Sequence, residues 1–364
     1  MGRHCLAIQW YVWAILTFAV SGTSTRLAAQ TQTMCSGAQN TACVLTWQND
    51  NYRTGQNLSE GASNDAQAAT KNWAAGNPLK IALLHWYRIN ETTRFPVGQQ
   101  PYGVCFDGAN IWVANGGSNT VSKLRASDGA TLGTFSVGIM PVGVTFDGAN
   151  IWVSNNGSGT VTKLRASDGT VLGTFTVGLL PFWMAFDGAN IWVPTPSQTG
   201  NGAVTKLRAS DGKNLGTFSV GVGPAAVAFD GSNVWVTNAT DGTVSKLRAS
   251  DGNILGTFPV GYGPIGVTFD GANVWIANTG ATVTKLRASD GTLLGAFQAP
   301  GLPYGIAFDG EDIWVTGSPY ITELRASDGT NLGLFFPHSN TGGVAFDGAN
   351  IWVARFNANE VGKL

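Results

Sequence analysis

The stretch "FDGANIWVANGG" at residues 106–117 decides how the chain is read, because the chain keeps writing it again. "FDGANIWVSNNG" begins at Phe146 and "FDGANIWVPTPS" at Phe186. The "FDG" triplet stands at Phe106, Phe146, Phe186, Phe229, Phe269, Phe308 and Phe346, with spacings of 40, 40, 43, 40, 39 and 38 residues. A second phrase, "KLRASDG", starts at Lys123, Lys163, Lys206, Lys246 and Lys285, and "ELRASDG" starts at Glu323. The chain therefore carries seven units. A repeat of about 40 residues built from short strands has the period of a β-propeller blade.

Each unit reads as four strands: one ending in "GVTFDG", then "NIWVAN", "TVSKLRAS" and "LGTFSVG". Val, Ile, Thr, Phe and Trp fill them, and "DGAN" and "SDGT" supply turns in which Gly tolerates positive φ and Asp bonds its own backbone. The seventh unit reaches "EVGKL" with three strands. The strand it lacks is written at the other end of the repeats, as "TRFPVG" at residues 93–98. A closed ring explains this arrangement and satisfies the sheet edges, whereas a solenoid calls for capping repeats. The fold predicted is all-β, a seven-bladed propeller over residues 92–364 whose N-terminal strand closes the last blade.

Two segments precede the ring. Residues 1–29 read as an export signal, with Arg3 ahead of the apolar run Cys5–Val20 and small residues after it. That predicts a secreted, periplasmic or cell-envelope protein with no membrane span once the signal is removed. Residues 30–91 do not repeat. Asn77 as N-cap, Pro78, and then Leu79, Leu83 and Trp86 at helical spacing predict a short helix that packs on the propeller. Cys35 and Cys43 are near enough to pair, and their being unpaired is the alternative. Cys105 reads as a small buried hydrophobe.

The net charge of −1, with 14 basic and 18 acidic side chains over residues 95–364, excludes a nucleic-acid partner. The repeated Asp residues form no "DxDxDG" loop, so they are read as turn builders rather than as calcium ligands. A Trp in every second strand is read as inter-blade packing. The repeated Lys and Arg are read as surface ladders or as partners of the turn Asp residues. No metal, cofactor or catalytic residue is assigned, and a monomer is expected.

Strands alternate in direction, so the nearly invariant "FDGAN" and "RASDG" turns share one face of the ring. The loops that differ in every copy share the other. Function is expected on the variable face. Its candidate ligand-binding residues are Tyr102, Phe182, Trp183, Tyr262, Tyr304, His338 and Arg355. Trp183 stands where other units have Gly or Ala, and there it either plugs the channel or walls it. Arg355 replaces an Asn or Thr and could hold an anion. The expected function is an exported binding or interaction module that engages a protein, peptide or glycan. The alternatives are a hydrolase or lyase with a site at the channel mouth around His338, and a purely structural envelope protein.

The unit "PxGVxFDGxNxWVxN…TVxKL…DG…F.VG" resembles the repeats of NHL-type and YncE-like bacterial propellers. It also resembles the ring of the virginiamycin B lyase family, over about 270 of the 364 residues. That family resemblance implies a propeller that opens a cyclic depsipeptide by elimination with magnesium. It further implies a histidine just after the proline of an inner strand and a glutamate at the end of a second strand. Here the post-proline positions hold Tyr102, Val142, Phe182, Ala225, Ile265 and Tyr304, with Gly342 equivalent. The strand ends hold Asn115, Asn155, Thr195, Asn238, Asn278, Gly317 and Arg355. Neither the histidine nor the glutamate is matched, which argues against that activity.

Overall fold

The turns set the strands. In the first unit the Asp107 carboxylate accepts the backbone N–H of Ala109 (2.9 Å) and Asn110 (2.6 Å), while Gly108 sits at φ 95°, a conformation open to glycine. The second oxygen of Asp107 accepts the indole N–H of Trp112 at 2.7 Å. The indole–carboxylate bond recurs in all seven units at 2.7–2.8 Å. One aspartate thus shapes the turn and fixes the core side chain five residues on.

The structure, a computed structural model, describes residues 93–337 and 339–364. It contains seven four-stranded antiparallel sheets. The first blade runs outward from the axis as Pro101–Phe106, Asn110–Asn115, Thr120–Arg125 and Thr131–Ser136. The next five repeat that order. The seventh joins Thr341–Phe346, Ile351–Arg355 and Glu360–Lys363 to Thr93–Pro96, with Thr93 opposite Lys363 and Pro96 opposite Glu360. The N-terminal strand closes the ring as the sequence predicts. The export signal, the helix over residues 77–90 and the Cys35/Cys43 pair lie outside the described residues.

Hydrophobic clusters fill the spaces between blades. Trp112, Ala114 and Val121 of the first blade pack with Ile151, Val153 and Leu164 of the second. Six of the seven second-strand tryptophans are fully buried; Trp314 is half-buried. Each Trp meets a Phe of its own blade's outer strand at 5.4–5.6 Å between ring centroids. In six of the blades that Phe lies under the next blade's third turn, where Gly129 and its counterparts have no room for a Cβ against the ring.

The lysines correct the sequence reading. Lys123, Lys163, Lys206, Lys246 and Lys285 are buried, not surface ladders. Each ammonium lies 4.7–5.1 Å from the centroid of its own blade's Trp. It donates across to two backbone carbonyls in the next blade's "RAS" turn, as Lys206 does to Ala249 (2.6 Å) and Ser250 (3.3 Å). Lys363 reaches Ala126 in the same way (3.0 Å) and so latches the seventh blade to the first. The arginines do pair with the turn aspartates, at 2.8–3.3 Å, but at the surface.

Two outcomes follow from this packing. Lys206→Met lowers stability by about 2–4 kcal/mol because it leaves two enclosed carbonyls without a donor, whereas Arg165→Ala, which removes an exposed pair, lowers it by less than about 1 kcal/mol. Phe95→Ala removes the ring that stacks on Trp352 beneath the closure strand and lowers stability by about 3 kcal/mol. Urea-unfolding midpoints of the three variants against the parent check both.

Candidate binding face

The two faces of the ring differ in how their polar groups are engaged. On the turn face the aspartates are held by backbone amides. Asp168 is drawn down to about 2, first by the Thr170 N–H, then by the Thr170 hydroxyl and by Arg165. The same set of bonds repeats from blade to blade.

On the loop face, each loop entering an inner strand is tied to the loop after the second strand. Gly116 N–H donates to the Gln100 carbonyl (2.9 Å) and Asn156 N–H to that of Met140 (2.9 Å). The fully buried strand-end asparagines act as pins. Asn115 accepts from Gly98 N–H (3.1 Å) and donates to Thr120 and Ser122 (3.1 and 2.9 Å). From the other side, Asn359 accepts the Gln100 N–H (3.0 Å) and Asn119 that of Met140 (2.8 Å), so the entry loops of blades one and two are clamped by the preceding blade.

Clamping at both ends holds Gln100 and Met140 in an unfavourable backbone state, which Leu180 shares. Gln100, Met140 and Leu180 sit at φ 51°, 53° and 51°, just before a proline. Blades four and five have Gly223 and Gly263 in that place, also at positive φ. Left-handed backbone costs a non-glycine residue about 1–2 kcal/mol. Beside them Ile139 and Leu179 are 60% and 56% exposed, and Tyr262 is 71% exposed. Gln100, Ile139, Met140, Leu179 and Leu180 form a mostly apolar arc over blades one to three. None of these five is among the ligand-binding candidates named from sequence. The signal was present in the alternation of Gly with Gln, Met and Leu before the repeated Pro.

The candidates named from sequence do not form one site. Phe182, Trp183 and Tyr304 come together. The Trp183 ring meets Phe182 at 6.2 Å and reaches Tyr304, three blades away, at 4.7 Å edge to face. Its backbone is bonded to blade four, with Trp183 N–H donating to Ala225 (3.1 Å) and Val227 N–H to Trp183 (3.1 Å). The pair bars the channel at the loop face. A cavity of about 470 Å³ lies on the other side of the bar, lined by the inner strands and reaching Asp230 and Gly231 at the turn face. Tyr304 holds its hydroxyl enclosed and without a partner among the described residues, and burial raises its pKa well above the tyrosine range.

The others lie apart. Tyr102 is buried edge-on against Phe356 (4.8 Å), and burial pushes its hydroxyl up to about 12. Tyr262 stands exposed over blade five. Arg355 is 2% exposed, paired with Glu360 (2.8 Å) and bonded to the Pro337 carbonyl, so it is an internal brace rather than an open anion site. His338 lies outside the described residues. Among the described residues no three His, Cys, Asp or Glu side chains gather as a metal would need. With the histidine and glutamate positions also unmatched, these side chains do not fit the magnesium site that the lyase resemblance implies.

Trp183→Gly restores the residue of the sibling blades and removes the bar. The Tyr304 hydroxyl then meets water, and its pKa falls back toward about 10. A spectrophotometric titration at 295 nm gains one tyrosine ionising below pH 11 relative to the parent.

No family model matches the chain, and no curated protein matches it. Solved structures do. A hydrazine synthase chain from Kuenenia stuttgartiensis superposes with a TM-score of 0.64 at 17% identity, covering 73% of this chain and 95% of that one. A streptogramin B lyase superposes with a TM-score of 0.62 at 19% identity, covering 75% of this chain and 96% of that one. At these identities the likeness shows the fold, in agreement with the propeller resemblance carried by the repeats.

Proposed function

We propose that this propeller is an exported binding module that engages a protein, peptide or glycan through its loop face. The observation that carries the reading is the strain at Gln100, Met140 and Leu180 beside the exposed Ile139 and Leu179. Glycine at the equivalent place in blades four and five shows that the loop needs no side chain there. Displaying side chains in a left-handed backbone works against stability, and strain of this kind gathers at ligand sites. The rim mixes amide and apolar groups with one exposed tyrosine, a composition suited to peptide or sugar surfaces rather than to polyanions. The turn face, with its polar groups already engaged by one another, offers less to a partner.

The triple variant Ile139→Ser, Leu179→Ser, Tyr262→Ala tests this against Arg165→Ala on the turn face. Glycan and peptide arrays identify a ligand for the parent, and titration gives affinities. The triple variant loses at least about tenfold in affinity while its Tm stays near the parent's, since exposed substitutions shift stability by about 0.5 kcal/mol or less. Equal binding by the triple variant with loss in Arg165→Ala would place recognition on the turn face instead.

A further inference from the structure

The bar of Trp183 and Tyr304 is built at the expense of its own strands. Five blades have an inner strand of six residues. In blade three it is Ala185–Phe186 and in blade six Ile306–Phe308, and these are the two blades that supply the bar. Trp183 stands where other blades have Gly103, Gly143, Ala226, Gly266, Gly305 and Gly343. A Cβ on Gly103 would strike the Val142 carbonyl, and one on Gly143 would lie 2.7 Å from the carbonyl of Phe182. A tryptophan fits at this level because blade three leaves its own sheet there and bonds to Ala225 and Val227 of blade four instead. A small residue serves the packing in all six siblings. The pairing given up in blade three is therefore explained by what the indole does, which is to close the axis.

Closing one end turns a through-channel into a chamber. Its volume of about 470 Å³ lies within the range of about 300–1,000 Å³ found for small-molecule sites. Trp183 is the floor. Met184, Ile306 and a valine from each of the other five blades line the wall, together with smaller side chains such as Cys105, Ala185 and Ala307. The half-buried Phe of each "FDG" rings the mouth at the turn face. Asp230 is the one charged side chain of this wall among the described residues. Its carboxylate already accepts the N–H groups of Ser232 and Asn233 and the indole of Trp235. Thr145 gives its hydroxyl to the Met184 carbonyl (2.8 Å), whereas the Thr268 hydroxyl makes no hydrogen bond among the described residues.

We infer that this chamber is a binding site for a neutral, largely apolar small molecule that enters from the turn face. A charged ligand would lose its water and find no counter-charge in the wall. The indole floor and the phenyl ring at the mouth favour flat aromatic groups, and Thr268 offers a partner to one polar atom. The bar separates the chamber from the exposed arc of the loop face, so the two sites bind independently.

Titration of the full chain with N-phenyl-1-naphthylamine, a neutral dye that fluoresces in apolar surroundings, tests this. The parent binds one dye per chain, and the analogue carrying a sulfonate binds at least about tenfold more weakly. Ala185→Leu with Ala307→Leu fills the chamber from opposite sides and lowers dye affinity at least about tenfold. The loop-face variant Ile139→Ser, Leu179→Ser, Tyr262→Ala keeps the parent's affinity, which separates this site from the one proposed above. No saturable binding by the parent, equal binding of the sulfonate, or loss confined to the loop-face variant overturns the inference. A second measurement needs no variant. Parent crystals soaked with 1-bromonaphthalene show an anomalous bromine peak between Trp183 and the phenylalanine ring. No peak, or a peak only on the loop face, overturns the inference as well.

Discussion

The ring depends on an ammonium group held between an indole and two peptide carbonyls of the neighbouring blade. A buried charge is costly to strip of water, and here the carbonyls and the ring face replace that water. Because the lysine belongs to one blade and the carbonyls to the next, the bond sets the angle between sheets as well as the strength of their contact. The Trp is fixed in turn by the aspartate of its own first turn. Asp, Trp, Lys and the next blade's turn form one continuous polar path through an apolar wall. Hydrophobic contact alone would let adjacent sheets slide, and directional bonds at each junction prevent that.

This path runs close to the turn face and leaves the loop face free of structural duty apart from its asparagine pins. Five or six residues per loop can then change without touching the junctions. In blades one and two the loop face carries strain because the clamps on the entry loop, from the blade before and from its own second loop, fix the backbone whichever side chain is present. Rigidity supplied by the turn face is what allows Gln100 and Met140 to be displayed rather than relaxed away.

Most of the architecture was legible in the sequence because repetition makes a missing strand visible. "TRFPVG" ahead of the first unit and a three-strand last unit were enough to predict closure, and the strands fall where the turn residues place them. The lysines were misread because a cation within a strand carries no sign of partners 41–47 residues further on. Arg355, which departs from its copies, and Tyr102, which sits in a variable loop, read from sequence as ligand contacts, yet each is buried and held by its own neighbourhood, Glu360 and Pro337 for one and Phe356 for the other. Variation among copies marks where symmetry breaks, and symmetry breaks both for ligands and for packing. Exposure and backbone angle separate the two cases, and neither is written in the sequence.

Pairing Thr93 with Lys363 brings together residues 270 positions apart. Joining such distant points restricts the chain by about 5 kcal/mol before any contact forms. Neighbouring blades, whose contacts span some 40 residues, assemble first. A nascent chain emerging in order therefore carries an open arc, its first strand waiting unpaired while six blades stack behind it. The last three strands present a bare edge until that strand arrives, and an edge of that kind accepts a strand from any chain of the same kind. Ring completion is thus the step that carries the largest loop-closure cost, and the step at which a strand of another copy would compete with the chain's own.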